Sequence, residues 1–193
     1  MDHHFFAMMS RMKYIERWAL MRNSQTENIS EHSLEVAMIA HVLAVISNVR
    51  LGNQLNAEKA ALIGMYHDCT EIITGDMPTP VKYFNAEIQG AFKEVENVAA
   101  NKLLSMLPDD LRPSYDTLFF KQEEDKFLWK LVKAADKLSA LIKCMEEKKA
   151  GNQEFISAEK ALLKAVEEMK LEEVDIFMQE FLPSYNKTLD ELN

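Results

Sequence analysis

Five glycines and five prolines are the only strong turn-makers in a chain of 193 residues. With so few points at which the backbone can reverse cheaply, long helices are favoured over many short strands. Apolar spacing agrees. Phe5, Met8, Met9, Met12, Ile15 and Trp18 recur near the helical period, which predicts an amphipathic helix over Phe5 to Trp18, then a polar loop over Arg22 to Asn28. A second helix is expected from Ser30, whose hydroxyl can cap an orphan backbone N–H, to about Val45. Leu34, Met38, His41 and Val45 line one of its faces and His32, Val36, Ile39 and Leu43 another, so its place is the middle of a bundle. Asn56 is the expected cap of a third helix, Ala57 to about Ile73. A stiff loop follows, Thr74-Gly75-Asp76-Met77-Pro78-Thr79-Pro80, because two prolines fix φ and remove donors. Further helices are expected over Ala86 to Leu107, Glu123 to Lys149, Ser157 to Lys170 and Glu172 to Phe181, with Gly151 stopping the longest. No segment alternates like a strand, and no repeat or linker divides the chain. The expected fold is all-α, one helical-bundle domain over residues 1–193.

Charge narrows the partners. Acidic residues number 31 against 22 basic, a net charge of −9, with no long basic run. Coating a nucleic-acid polymer depends on Lys/Arg contacts to phosphates, so that class is disfavoured. A small phosphorylated ligand is still allowed, because one metal ion and one arginine can overcome the local field. Cys69 and Cys144 form neither a CxxC pair nor a disulfide framework, which predicts a reduced, cytoplasmic setting. Met1 to Arg11 lacks a signal-peptide core, and the apolar stretch Val36 to Ser47 contains His41 and is too short for a bilayer, so no membrane partner is expected.

The densest chemistry lies in Gly64-Met65-Tyr66-His67-Asp68-Cys69-Thr70-Glu71. On a helix, Gly64, His67, Asp68 and Glu71 share one stripe. Burying such ionisable groups unpaired costs several kcal/mol, on the order of a folded domain's whole margin, so a compensating cation is expected. A bare His-Asp pair is more often a chance dipeptide on a solvated face. Two further positions give it weight: His32, in the opening turn of the second helix, and Asp136, among small residues in Val132-Lys133-Ala134-Ala135-Asp136-Lys137-Leu138-Ser139-Ala140. Singly, His32 reads as a capping or core histidine and Asp136 as a partner of Lys133 or Lys137. Together the two imidazoles and two carboxylates make a mixed N/O set suited to a borderline divalent metal.

In this order His32, His67, Asp68 and Asp136 match the H…HD…D pattern, and the chain resembles the HD-domain phosphohydrolases. Within them it is similar to the bacterial 5′-deoxynucleotidase, YfbR-like branch. The similarity runs through His4-Phe5-Phe6-Ala7, Glu16-Arg17-Trp18, Thr26-Glu27-Asn28, Ser30-Glu31-His32-Ser33-Leu34, Met65-Tyr66-His67-Asp68, the loop Thr74 to Pro80 with its extension Val81-Lys82-Tyr83-Phe84-Asn85, Gly151-Asn152 and Phe181-Leu182-Pro183-Ser184. The bare HD pattern is shared by many activities; the Arg-Trp pair with the Gly-Asp-x-Pro-Thr-Pro loop is far more specific.

The resemblance implies hydrolysis of deoxyribonucleoside 5′-monophosphates to deoxyribonucleosides and phosphate, with weak base selectivity, by a homodimer. His32, His67, Asp68 and Asp136 would hold one divalent ion, cobalt or manganese first, with zinc, iron, magnesium or copper as alternatives. Glu71 would orient or deprotonate a water, and Asp76 would assist the leaving 5′-oxygen. Arg17 would bind the phosphate. Trp18 would stand against the sugar and exclude a 2′-hydroxyl. Met77, Pro78 and Thr79 would complete the pocket, with His32, Asp68, Asp76 and Asp136 also facing the substrate. His3, His4 and His41 receive no role, and the 12 methionines read as packing. Competing expectations are another HD hydrolase (a nucleotide pyrophosphohydrolase or a cyclic-nucleotide phosphodiesterase), a non-catalytic metal or nucleotide sensor, and a purely structural bundle.

Overall fold

The computed structural model describes residues 2–82 and 84–192, so Tyr83 of the loop motif lies outside them, as do Met1 and Asn193. Along the chain the helices are α1 (Phe5–Met9), α2 (Ile29–Leu51), α3 (Ala57–Tyr66), α4 (Glu71–Thr74), α5 (Thr79–Lys82), α6 (Ala86–Leu104), α7 (Arg112–Phe119), α8 (Lys126–Lys149), α9 (Ile156–Glu167) and α10 (Glu172–Glu180). Short 3-10 turns occupy Ser10–Tyr14, Gln153–Phe155, Leu182–Asn186 and Leu189–Leu192. Among the described residues the one β pairing is an isolated antiparallel bridge, Glu16 with Asn28. The all-α expectation holds.

Two compact units emerge. The first comprises residues 1–22, 26–33 and 66–122; the second comprises 23–25, 34–65 and 123–193. In the first, α6 packs against α1, α4, α5 and α7. Its core gathers Phe5, Met12, Ile29, Cys69, Leu103, Leu104 and Leu107, with Tyr66, Tyr115 and Phe119 against them. The Phe5 and Tyr115 rings meet edge to face at 5.2 Å, and Tyr66 meets Tyr115 at 5.9 Å. Each large apolar side chain so buried contributes about 1.5–3 kcal/mol. In the second unit α8 packs against α9, and Leu131, Leu138, Leu141 and Phe155 are fully buried. α8 ends as expected at Gly151, whose φ of 86° is open to glycine. Asn152 N–H donates to the Glu147 carbonyl and Gly151 N–H to that of Lys148, each at 2.9 Å, a Schellman closure.

Several boundaries depart from expectation. The first helix stops at Met9, tightens to a 3-10 turn, and gives way at Ile15 to extended backbone (φ −100°, ψ 106°). α2 begins one residue earlier and runs six further than predicted, to Leu51. Only one of its two apolar faces is covered: Val36, Ile39 and Leu43 are buried, while Leu34, Met38 and His41 are exposed. With 23 residues and a mean hydropathy of 1.6 over its most apolar window, α2 has the length and composition of a membrane span. Its polar bonds are those of a core helix: Ser47 donates to Glu173 at 2.7 Å, and Glu35 accepts from Ser139 at 2.6 Å. Asn56 caps α3 as expected, taking Lys59 N–H at 2.8 Å. α3 does not continue to Ile73; residues 67–70 are turns and α4 is separate. α7 was not anticipated; its Pro113 falls in the first turn, where its missing donor costs nothing.

Candidate metal and phosphate site

The first unit assembles its polar centre by folding a short extended segment beside the start of α2. Arg17 N–H donates to the Glu27 carbonyl at 2.8 Å and Ile29 N–H to that of Ile15 at 2.9 Å, flanking the Glu16–Asn28 bridge. Asn28, not Ser30, then caps α2: its Oδ1 accepts from Ser30 N–H at 3.0 Å and Glu31 N–H at 3.1 Å, while the Glu31 carboxylate takes the Asn28 N–H at 3.1 Å. This reciprocal box holds the first turn. His32 lies one residue beyond it and is fully buried.

His67 and Asp68 reach the same place from the turn after α3. Breaking the helix there replaces the predicted stripe with a tighter cluster. Asp68 Oδ2 is 3.1 Å from His67 Nε2 and 3.5 Å from His32 Nε2, and the two imidazole rings are 5.3 Å apart. Each of the three offers a ligand atom within 4.8 Å of the others. Asp136 lies in the middle of α8 in the second unit, half-buried between Ala135 and the buried Ser139 and Ala140, the small neighbours expected beside it.

Glu71 opens α4 and is buried, with no hydrogen-bond partner for Oε2 among the described residues. Burial first, then the carboxylates of Asp68 and Asp76, push its carboxyl up to about 10 against the pull of Arg17 and Lys82. Asp68 goes the other way. Burial opposes its ionisation, but His67, His32 and Arg17 outweigh that and hold the carboxyl well below the ordinary range. α4 ends at Gly75, where φ 73° and ψ 162° suit only glycine and turn the chain so that Asp76 faces back. Asp76 is half-buried, and burial raises its carboxyl although Arg17 and a backbone N–H oppose it. Met77 and Pro78 follow it, partly buried. Thr79 and Pro80, predicted as loop, already begin α5; Thr79 is exposed.

Arg17 and Trp18 sit across from that loop. Trp18 N–H donates to Asp76 Oδ2 at 3.2 Å, with the Trp18 backbone at φ 61°, an uncommon conformation for a bulky residue. The Arg17 guanidinium carbon lies 5.9 Å from the indole centroid. Glu27, to which no role is given by sequence, binds both: its Oε2 accepts from Arg17 Nη1 at 2.6 Å and from Trp18 Nε1 at 3.1 Å. The only advance signal was its place in the Thr-Glu-Asn run, because an ion pair ten residues apart follows no helical spacing.

An all-helical chain with a buried histidine, a His-Asp turn and a mid-helix aspartate has the make-up of an HD-type phosphohydrolase. The fold agrees: an HD-domain phosphohydrolase from Listeria innocua superposes with a TM-score of 0.81 at 26% identity, covering 95% of this chain and 88% of that one. A cyanophage S-2L HD phosphohydrolase, DatZ, solved with dA and one catalytic zinc ion, has the same fold at a TM-score of 0.68 and 20% identity, covering 94% of this chain and 96% of that one. The profile described as "5′-deoxynucleotidase YfbR-like" matches residues 4–185, and the chain belongs to that family. A 5′-deoxynucleotidase of Erwinia tasmaniensis is 49% identical over 190 residues, 98% of this chain and 96% of that protein; the 5′-deoxynucleotidase YfbR of Salmonella paratyphi B is 52% identical over 194 residues, with the same coverage. A 5′-deoxynucleotidase is a phosphoric monoester hydrolase.

Proposed function

We propose that this protein, acting as one functional domain, uses a divalent cation to hydrolyse deoxyribonucleoside 5′-monophosphates to deoxyribonucleosides and phosphate, with weak base selectivity and discrimination against ribonucleotides. The observation that supports this is geometric: Asp68 Oδ2 lies 3.1 Å and 3.5 Å from the two imidazoles, and Asp76 Oδ2 accepts the N–H of Trp18, the neighbour of Arg17, at 3.2 Å. Arg17, proposed to take the phosphate, thus adjoins a residue bonded to Asp76, the proposed acid.

The residues fit a cation. Three carboxyl groups crowd the centre, and Glu71 Oε2 is buried without a hydrogen-bond partner among the described residues. His32, His67 and Asp68, with Asp136 from α8, would hold it; His32, Asp68 and Asp136 would also face the nucleotide. Manganese or cobalt suits this N/O set first, with zinc, iron, magnesium or copper as alternatives. When bound, such an ion supplies Lewis-acid polarisation of the phosphate and lowers the pKa of its water.

The chain's own groups do the rest. Arg17 binds and orients the phosphate through its planar N–H fork. Glu71 orients the attacking water and, once a bound cation holds its carboxyl ionised, would take that water's proton as the new P–O bond forms. The bond from phosphorus to the 5′-oxygen breaks, and Asp76 gives that oxygen a proton. Oδ2 of Asp76 already accepts from Trp18, so Oδ1 is the atom that carries it. Burial raises the proton affinity of this carboxyl, which suits a donor. The Trp18 ring stands against C2′ and leaves no room for a hydroxyl, and Met77, Pro78 and Thr79 close the pocket.

Diphosphate and triphosphate substrates would call for more basic groups around the pocket, and Lys82, one of the few at hand, is paired with Glu96 at 2.8 Å. Exposed Leu34 and Met38 on α2 and Val95 and Val98 on α6 supply apolar surface for a homodimer, and two buried free thiols suit a reducing cytoplasm. Phosphate release from a deoxy and a ribo 5′-monophosphate, measured side by side with chelator and then with added manganese or cobalt, tests the proposal. Metal-dependent release from the deoxy substrate is expected; hydrolysis of triphosphates but not monophosphates would overturn it.

A further inference from the structure

One carboxylate oxygen holds both side chains assigned to substrate recognition. Glu27 Oε2 accepts the guanidinium of Arg17 at 2.6 Å and the indole N–H of Trp18 at 3.1 Å. The ion pair is shielded, with side-chain exposures of 12% and 13%, so it is not one of the solvated surface pairs that contribute little. Glu27 itself cannot drift. Its carbonyl takes the Arg17 N–H at 2.8 Å, and the next residue, Asn28, both pairs with Glu16 and caps α2.

Trp18 gains from this more than a partner. Its backbone at φ 61° lies in a region that bulky residues rarely occupy, and only surrounding contacts can keep it there. The Asp76 carboxylate holds its N–H from one side and Glu27 holds its ring from the other. A guanidinium has five N–H donors, more than one carboxylate oxygen can take, so the pairing aims Arg17 without consuming it.

We propose that Glu27 is a positioning residue that locks the Arg17 guanidinium and the Trp18 indole into one rigid unit, so that phosphate seating and preference for deoxyribose over ribose are set by the same carboxylate; this rests on the roles assigned to Arg17 and Trp18 above. Because the indole is aimed through Glu27, loosening that residue opens the space at C2′ as well as slackening the grip on phosphate.

The test is kinetic. In Glu27→Gln, which keeps the shape and removes the charge, and in Glu27→Ala, KM for a deoxynucleoside 5′-monophosphate should rise about tenfold, and the deoxy-to-ribo ratio of kcat/KM should fall about tenfold. Trp18 emission, read in a Trp129→Phe background that leaves it the sole tryptophan, should shift in both variants. General loss of structure would depress both substrates equally and leave the ratio alone, so a ratio within twofold of the parent in the isosteric Glu27→Gln overturns the proposal even if Glu27→Ala fails to fold. Arg17→Ala and Trp18→Ala are run alongside. If the first leaves KM unchanged and the second leaves the ratio unchanged, the assignment of those two residues has failed; if they respond and the Glu27 variants do not, Glu27 alone is removed.

Discussion

A Cβ built on Gly64 would lie 2.9 Å from the Cα of Ala37 and 3.0 Å from its nitrogen. At this point the backbones of α3 and α2 touch with no side chain between them. Both obstructing atoms are main chain and cannot swing aside. Alanine would gain about 1 kcal/mol of helix propensity, but overpacking a contact of this kind costs typically about 1–3 kcal/mol. Gly64→Ala should therefore be modestly destabilised, and Gly64→Val, larger and a poorer helix former, more so. Urea unfolding of the two variants checks this; a Gly64→Val protein as stable as the parent would show that the helices separate freely.

Glu147 couples stability to pH in the second unit. Burial alone would raise its carboxyl, but Lys143, Asn152 and the backbone N–H groups of Ser24 and Gln25 donate to it and hold it at about 2 against an ordinary 4.5. A depressed carboxyl stabilises the fold at pH above its unfolded value and loses that contribution as pH falls through the folded one. The stabilisation, about 3 kcal/mol, is thus complete above pH 4.5 and fades down to about 2. Glu147→Gln should be less stable near neutrality, with the deficit closing in acid. A difference that stays flat over this range would contradict the assignment.

Removal of the α2 cap should have a local price beyond stability. Asn28→Ala leaves the N–H groups of Ser30 and Glu31 without their acceptor and should cost about 1 kcal/mol by thermal or urea unfolding. Because His32 sits on the turn that Asn28 fixes, manganese affinity should weaken in the same variant. If affinity holds while stability falls, the cap does not orient the histidine.

Metal binding separates ligands from bystanders. In calorimetric titration with manganese, Asp68→Asn and Asp136→Asn should each lose more than about tenfold in affinity, since even residues that merely orient ligands are worth that much. Undiminished binding in Asp136→Asn would strike it from the ligand set.

Glu71→Gln should bind manganese and nucleotide like the parent yet turn over roughly 10²–10⁴-fold more slowly, the usual worth of a positioned acid or base. Unchanged turnover would remove Glu71 from the chemistry. Loss of manganese binding as well would mark it as a ligand instead.

The helical class, most helix positions and the cluster of His32, His67 and Asp68 were legible in the sequence, the last because their order matches the H…HD…D pattern of the family that the chain resembles, while each residue alone reads as ordinary. Interruptions were less legible. Nothing in the periodicity from Ala57 to Ile73 announces that the helix stops at Tyr66, because the residues of the turn fit a helical stripe as well as they fit the observed break. The first helix likewise yields at Met9 because the segment after it pairs with the residues before α2, a non-local gain that spacing cannot show.

Sequence by itself determined what must be buried together, since hydrophobic period, paucity of glycine and proline, and the cost of buried charge are properties of the chain. Tertiary structure decided which atoms face which. The left-handed Trp18, its hold on Asp76 and the double use of Glu27 arise only once the segments that carry Trp18, Glu27 and Asp76 lie side by side, because hydrogen bonds between residues distant in the chain have no signature in local spacing.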